Sequence, residues 1–185
     1  MKKIKSLIIT YEGYKDYEAI YPYYRLLEEG YDVDVISNAP NKVRGVLGGY
    51  IPSNYLLSEL LTKSTFNRFL TDYDILIIPG GVNSLEKLRL ETQVVRFVVE
   101  WHNKNKIIGS ICSGAQLLIT AKVLQGRKVS AYYSMEQDIW NAGAEFIDNP
   151  VVIDGNLITS PHYKWVGHWM GGIIKTYNER KNESY

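Results

Sequence analysis

The chain contains 185 residues, of which 45% are apolar and 22% are charged, and this predicts one domain around a single core. Its 21 Lys and Arg residues balance 20 Asp and Glu residues, which excludes the strong positive field typical of a nucleic-acid-binding protein and favours a small-molecule ligand. The lack of a long apolar segment and the single cysteine predict a cytoplasmic protein with no membrane partner and no internal disulfide.

Short β-branched runs alternate with segments of helical period, which predicts a mostly parallel sheet with helices on both faces. The predicted strands are residues 6–10, 33–37, 74–79, 106–111 and 128–132. The predicted helices are residues 17–29, 84–103, 113–124 and 164–180, with a short helix near 55–61 inside the least regular segment, 38–70. Asp154-Gly155-Asn156 joins two apolar runs and predicts a hairpin. We assign residues 1–178 to a single domain and residues 179–185 to a polar tail.

The only cysteine, Cys112, lies where the strand 106–111 gives way to a helix. In parallel sheets, functional groups collect beyond the carboxyl ends of the strands. A nucleophile on such a sharp turn needs small neighbours, which Ser110 and Gly114 provide, and the helix N-terminus favours a lowered thiol pKa. The alternative is a buried cysteine that only fills space.

Two other segments are predicted to reach the same edge of the sheet. Gly80 and Gly81 follow a buried strand, and their amides are candidates for an oxyanion hole together with the amide of Ser113, although a plain turn explains them as well. Glu18, at the start of a helix, is a candidate proton carrier beside the thiol, with a surface acid as the alternative. We expect Glu86 to lie in a first helical turn, where it complements the helix dipole.

The chain resembles the ThiJ/PfpI superfamily, in its branch that is similar to intracellular protease I. The resemblance covers nearly the whole chain and implies a flavodoxin-like three-layer sandwich of the class I glutamine amidotransferase-like fold. It also implies that Cys112 is the nucleophile, that Glu18 faces the thiol, and that Gly80 and Gly81 lie on the oxyanion side. It rests on the segments DYEAIYPYYRLLEEGYDV, YDILIIPGG, SICSGAQLLITAKVLQGRKVSAYYS and WNAGAEFIDNPVVIDGNLITS.

The chain departs from this branch at Ser113, where close relatives carry a histidine directly after the cysteine. Glu86 aligns with the glutamate that reaches such a histidine from a neighbouring subunit, so it loses its expected partner. His162 follows a predicted strand end and is a candidate replacement base, with a structural role as the alternative. His102 and His168 lie elsewhere, no histidine has zinc-ligand spacing with the cysteine, and we expect neither a metal nor a cofactor.

Three functions remain open. The first is an enzyme whose Cys112 thiolate adds to a small electrophile such as an α-oxoaldehyde, in a glyoxalase-like, deglycase-like, hydrolase or hydratase reaction. The second is a redox-sensing stress protein, in which Cys112 is oxidised and held by Glu18. The third is a binding module without catalysis, while a cysteine peptidase and an isonitrile hydratase rank lower. The resemblance also implies a homo-oligomer.

Overall fold

The computed structural model describes residues 3–182 and is built around a central β-sheet. The strands are β1 (Lys5–Ile9), β2 (Asp32–Ser37), β3 (Asn41–Arg44), β4 (Tyr50–Ser53), β5 (Tyr55–Leu56), β6 (Ile75–Ile78), β7 (Ile107–Ile111), β8 (Lys128–Val129), β9 (Glu145–Phe146), β10 (Val152–Asp154) and β11 (Leu157–Ser160). The main sheet has the order β10-β11-β7-β6-β1-β2-β5. Its neighbouring strands are parallel except for β10, which runs antiparallel to β11 at one edge.

Helices cover both faces of this sheet. They are α1 (Asp16–Glu28), α2 (Lys63–Asp72), α3 (Val82–Leu88), α4 (Thr92–Asn103), α5 (Ala115–Thr120), α6 (Glu136–Asn141) and α7 (Val166–Asn182). The apolar cluster on one face contains α1 and α7, and the cluster on the other face contains residues of α2 to α6. This arrangement confirms the predicted α/β sandwich. Within the described residues, every helix is too short or too polar to cross a membrane.

The register of the main sheet aligns a row of residues across its centre. Ile8 pairs with Ile77, Ile77 pairs with Gly109, and Gly109 pairs with Ile158. These positions are buried because helices pack on both faces, which explains why the strands are continuous β-branched runs with no apolar-polar alternation. Gly109 allows α7 to lie close to the sheet, since a Cβ atom there would contact the side chains of Ile173 and Trp169.

Four of the five predicted strands and the hairpin through Gly155 are confirmed. The predicted strand 128–132 is wrong in length and place, because only Lys128–Val129 is a strand, and it pairs with β9 outside the main sheet. The chain after it is held through side chains. The Ser130 amide donates to Thr159 Oγ1 at 2.9 Å, so no ladder of backbone bonds forms there.

The predicted helix 84–103 is two helices, α3 and α4, separated by residues 89–91. Leu88 and Val94 are both fully buried, yet six residues of continuous helix would rotate Val94 about 240° away from Leu88. The chain therefore breaks between them so that both side chains face the core. The predicted helix 113–124 likewise ends at Thr120, because Lys122 has a left-handed φ of 56° that stops the helix.

The irregular segment 38–70 contains more structure than predicted. Strands β3 and β4 form a separate hairpin, the expected helix near 55–61 is β5 followed by a 3-10 turn at Leu57–Leu61, and α2 was not predicted. The last helix runs to Asn182 and so includes residues 179–182 of the predicted polar tail. The rest of that tail, 183–185, lies outside the described residues.

A buried carboxylate at the start of α1 holds the β3–β4 hairpin. Asp16 is 4% exposed, its Oδ2 accepts a hydrogen bond from the Leu47 amide, and its Oδ1 accepts one from the Gly49 amide, each at 2.8 Å. A Cβ atom at Gly45 or Gly49 would collide with this carboxylate. The loop of the hairpin is thereby fixed to the N-terminal turn of α1.

Replacing Gly109 by Ala should lower the free energy of unfolding by about 1–3 kcal/mol, because the new methyl group would overpack the contact between β7 and α7. Gly171→Ala is the matched control, since Gly171 is exposed on α7 and a Cβ atom there would have no neighbouring atom within 4 Å. This change should stabilise by about 0.5–1 kcal/mol through helix propensity. Urea unfolding of both variants measures the difference, and equal effects would contradict the proposed tight contact.

Candidate active site

Cys112 lies on a strained turn directly after β7. Its φ is 58°, in the left-handed region that residues with a Cβ atom rarely adopt, while Ile111 before it is still extended. Such strain is typical of functional positions, and a strand-turn-helix elbow of this kind exposes its nucleophile at the edge of a sheet. Gly114 is required by the turn, because a Cβ atom there would lie 2.6 Å from Ile78 O and 2.8 Å from Ser110 Oγ.

Glu18 approaches the same point from the first turn of α1 and is fully buried. Its Oε2 accepts a hydrogen bond from the Gly80 amide at 2.9 Å, whereas its Oε1 has no hydrogen-bond partner among the described residues. Gly80 lies between the carboxyl group of Glu18 and the side chain of Cys112. A Cβ atom on Gly80 would collide with Glu18 Oε2 and lie 2.8 Å from the Cβ of Cys112. A residue without a side chain is therefore needed between the carboxyl group and the thiol.

The thiol and the carboxyl group shift each other's ionisation. Burial raises the pKa of Glu18 from 4.5 to about 7, although a hydrogen bond from Cys112 opposes this rise. Burial, followed by the negative charge of Glu18, raises the pKa of Cys112 from 9.0 to about 12. The predicted lowering of the thiol pKa by a helix N-terminus is therefore wrong, because burial and the neighbouring charge outweigh it. Between these two pKa values the pair shares one proton.

Ser113 connects the thiol to the loop after β6. Its Oγ accepts a hydrogen bond from the Gly81 amide at 2.8 Å. The backbone N–H and the hydroxyl of Ser113 both donate toward the sulfur of Cys112, and both act to lower the pKa of Cys112. The Gly81 amide, a predicted member of the oxyanion hole, is thus already bonded to the Ser113 side chain.

Gly81 caps α3 in a conformation that only glycine adopts easily. Its φ is 112°, and a Cβ atom would lie 2.7 Å from the Tyr14 Cα atom. The loop after β6 is therefore packed directly against the loop after β1. The Lys15 amide also donates to Gly80 O at 3.0 Å, so backbone contacts join the two loops that carry the carboxyl group and the paired glycines.

The sulfur opens into a cavity of about 260 Å³. Glu18, Cys112, Ser113 and Gly81 line its floor, and the rest of the lining consists of Lys15, Val82, Tyr132, His162 and Tyr163. A larger groove of about 570 Å³ runs past Arg89 and Trp140, but none of the described residues that line it is a cysteine or a histidine. The cavity at Cys112 is therefore the candidate active site, and its size suits a small molecule.

His162 lies in the wall of this cavity, between the rings of Tyr132 and Tyr163. Its ring centroid is 6.3 Å from that of Tyr132 and 4.1 Å from that of Tyr163. Its Nδ1 accepts a hydrogen bond from the Lys164 amide at 3.3 Å. Burial, followed by the charges of Lys164 and Lys15, lowers the pKa of His162, so the imidazole is neutral at neutral pH and has Nε2 as its donor.

The other predicted acid and histidines do not reach the cavity. Glu86 is exposed in the middle of α3 and not in its first turn, and it is absent from the cavity lining. His102 lies in the last turn of α4, where burial and the charge of Arg127 lower its pKa, and His168 is exposed on α7. Residues 3–182 contain no group of three metal-ligating side chains suited to a metal ion.

The sequence did not reveal four members of the cavity wall: Lys15, Val82, Tyr132 and Tyr163. Tyr132 follows the short strand β8, and Tyr163 begins the 3-10 turn before α7, so neither lies at a strand end of the main sheet. Lys15 and Val82 carried a usable signal, since Lys15 lies three residues before Glu18 and Val82 directly follows Gly81.

Comparisons of sequence place the chain among known proteins. Residues 4–176 match the model of the DJ-1/PfpI family. The relative named "Deglycase PfpI", from Pyrococcus furiosus, is 36% identical over 172 residues, which cover 93% of this chain and 98% of the relative. "General stress protein 18" of Bacillus subtilis is 35% identical over 162 residues, which cover 86% of this chain and 88% of the relative.

Solved structures agree with these sequence matches. DJ-1 of Schizosaccharomyces pombe superposes with a TM-score of 0.82 at 23% identity, covering 97% of this chain and 98% of that one. A two-domain protein of Anabaena variabilis, with DJ-1/ThiJ/PfpI-like and ferritin-like domains, gives a TM-score of 0.85 at 29% identity. That match covers 94% of this chain and 48% of the larger protein. From its sequence match and its fold, the chain belongs to the DJ-1/PfpI family.

Proposed function

We propose that the chain is a cysteine enzyme that acts on small carbonyl compounds or their adducts, with Cys112 as nucleophile and Glu18 as proton carrier. The observation that carries this proposal is the approach of the buried Glu18 carboxyl group to Cys112 across Gly80, where burial raises the pKa of Glu18 to about 7. A general base is most effective when its pKa is near the working pH. The relatives named deglycases support a reaction of this class.

In the first step, the sulfur of Cys112 attacks the carbonyl carbon while its proton passes to the Glu18 carboxylate. A carbon–sulfur bond forms, the π electron pair of the carbonyl moves to its oxygen, and Glu18 returns the proton to that oxygen. The product is a hemithioacetal. Ser113 assists by donating its amide and hydroxyl toward the sulfur, which stabilises the charge that develops there during proton transfer.

For an α-oxoaldehyde, a second proton transfer converts the hemithioacetal into a thioester. The proton leaves the carbon bonded to sulfur and is delivered to the neighbouring carbonyl carbon, while the hydroxyl proton of the hemithioacetal moves to the oxygen of that carbonyl, so the step is an isomerisation with no net oxidation. Ionised Glu18 is the base that lines the cavity, so we assign this transfer to it, while neutral His162 presents its Nε2–H as a donor to a substrate oxygen. Water then cleaves the thioester, which releases a 2-hydroxy acid and restores the thiol.

The cavity geometry favours this reaction over the peptidase alternative. A volume of about 260 Å³ admits a small molecule, whereas a peptidase must hold an extended chain on both sides of its nucleophile. The redox-sensing and non-catalytic alternatives, the isonitrile hydratase alternative and the cytoplasmic location stay predictions.

The homo-oligomer also stays a prediction, and one surface supports it. Tyr17, Tyr21 and Tyr24 are 54%, 40% and 59% exposed, and they follow one another at helical spacing along α1. Aromatic residues are enriched where protein surfaces meet, and this stripe begins beside the cavity, where Tyr17 contacts Tyr163. A second copy on this stripe would lie close to the active site.

Alkylation of Cys112 by iodoacetamide should increase with pH through an apparent pKa near 7, because ionised Glu18 accepts the thiol proton. Glu18→Gln should remove this step, since the amide accepts no proton, and leave a single titration of the thiol at a pKa below that of Cys112 in the wild type, because the neighbouring negative charge is lost. Ser113→Ala should keep the step but lower the plateau rate, because donors to sulfur are lost. If the alkylation rates of both the wild type and Glu18→Gln rose with pH around the pKa of a free thiol, the proposed role of Glu18 as proton carrier would be contradicted.

The same pair should make stability depend on pH. Glu18 has a higher pKa in the folded than in the unfolded chain, so the folded chain binds more protons between pH 4.5 and about 7. The free energy of unfolding should therefore fall by about 3 kcal/mol as pH rises through this range. Glu18→Gln should lack this part of the decrease. Urea unfolding of the wild type and of Glu18→Gln at pH 5 and pH 7.5 measures this decrease. If the free energy of unfolding changed equally with pH in both proteins, the raised pKa of Glu18 would be refuted.

Formation of a 2-hydroxy acid from methylglyoxal or from its amine adducts tests the function itself, with NMR as the readout. Cys112→Ser should reduce the rate at least about 100-fold, because a hydroxyl group is far less acidic than a thiol. His162→Leu should lower kcat while leaving the alkylation rate of Cys112 intact, since His162 donates its Nε2–H to the substrate and not to the thiol. If the wild type formed no more product than folded Cys112→Ser, the proposed enzymatic activity would be disproved.

A further inference from the structure

Lys15 brings a positive charge to the wall of the Cys112 cavity. It directly precedes α1, and its backbone is fixed by the hydrogen bond from its amide to Gly80 O. Its Nζ lies 5.2 Å from the centroid of the Tyr163 ring, in a cation–π contact with another residue of the cavity wall. The ammonium group is thus held at the cavity and does not extend freely into solvent.

The charge of Lys15 is not held in a direct ion pair. None of the ion pairs formed within residues 3–182 includes Lys15. Of the described residues that line the cavity, only Glu18 has a carboxyl group, and it is committed to Gly80 and the thiol. The field of Lys15 acts inside the cavity, because it lowers the pKa of both Glu18 and His162. A small anionic ligand that enters meets an ammonium group with no direct ion-pair partner, set against the charge of Glu18, which is common to the wild type and the Lys15 variants.

We propose that Lys15 makes this cavity selective for small carbonyl compounds that carry a carboxylate group. The inference rests on the proposed function, since it places the carbonyl carbon at Cys112 and the carboxylate at Lys15. Tyr132, Val82 and Tyr163 supply the apolar wall for the short carbon chain between the two groups. Neutral aldehydes of the same size lack the partner for Lys15 and bind less well.

A matched pair of alkylating reagents isolates this effect from the rest of the reaction. Iodoacetate and iodoacetamide have nearly the same size and react in the same way: a carbon–sulfur bond forms, the carbon–iodine bond breaks, and iodide leaves. They differ only in carrying a carboxylate or a neutral amide next to the reacting carbon. Because Cys112 is the only cysteine, the loss of free thiol reports on this cavity alone.

The experiment measures the iodoacetate to iodoacetamide rate ratio at pH 8 in the folded chain and, as reference, in the chain unfolded by urea. The folded ratio should be higher, and Lys15→Gln should lower it about threefold, the size expected for one partly exposed charge pair. Lys15→Arg should keep the ratio. Lys164→Gln is the matched control, because Lys164 also acts on His162 but does not line the cavity, and it should leave the ratio unchanged.

Salt gives a second readout, since the advantage of iodoacetate should shrink between low and about 0.5 M ionic strength in wild type but not in Lys15→Gln. A reactive thiol whose ratio is equal in wild type, Lys15→Gln and unfolded chain overturns the inference while leaving the proposed function in place. A folded chain that neither reagent modifies overturns both.

Discussion

The active site depends on the close approach of a buried carboxyl group and a thiol across a residue without a side chain. The Gly80 amide donates a hydrogen bond to Glu18, and the lack of a side chain on Gly80 leaves space for Cys112. Burial determines the protonation of the pair, because it makes the state in which both the carboxyl group and the sulfur are ionised unfavourable. The pair therefore retains a proton that neither group holds alone, and the left-handed turn at Cys112 keeps the sulfur beside it.

Much of the fold could be predicted from the sequence because its core strands bury both faces. Such strands are β-branched runs, as in Ile75–Ile78, and they are visible without any partner. The errors arose where side chains or tertiary packing override local pattern. The segment after Val129 is held by Thr159, and α3 and α4 separate because Leu88 and Val94 must both face the core. Neither constraint is present in a window of adjacent residues.

The floor of the site could also be predicted, because Cys112, Glu18 and Gly81 follow strands that share one sheet edge. The pKa values of Cys112 and Glu18 could not be predicted from the sequence, since they depend on burial that only the folded chain defines. The roles of Ser113 and Gly81 differ from the expected oxyanion hole for a similar reason: a hydroxyl at position 113 is short enough to reach the Gly81 amide. Wall residues such as Tyr132 and Tyr163 come from turns, where sequence patterns carry little information on direction.

The anchoring of the β3–β4 hairpin by Asp16 has a consequence for substrate binding. Asp16 and Glu18 are buried on the same helical turn, one fixed to the hairpin and the other to the loop after β6. Two separate parts of the chain thus immobilise the helix start that carries the reacting carboxyl group. The start of α1 therefore loses its conformational entropy during folding and not when a ligand binds. The candidate site is therefore preorganised, and under the proposed function a substrate would need little rearrangement of the protein before reacting.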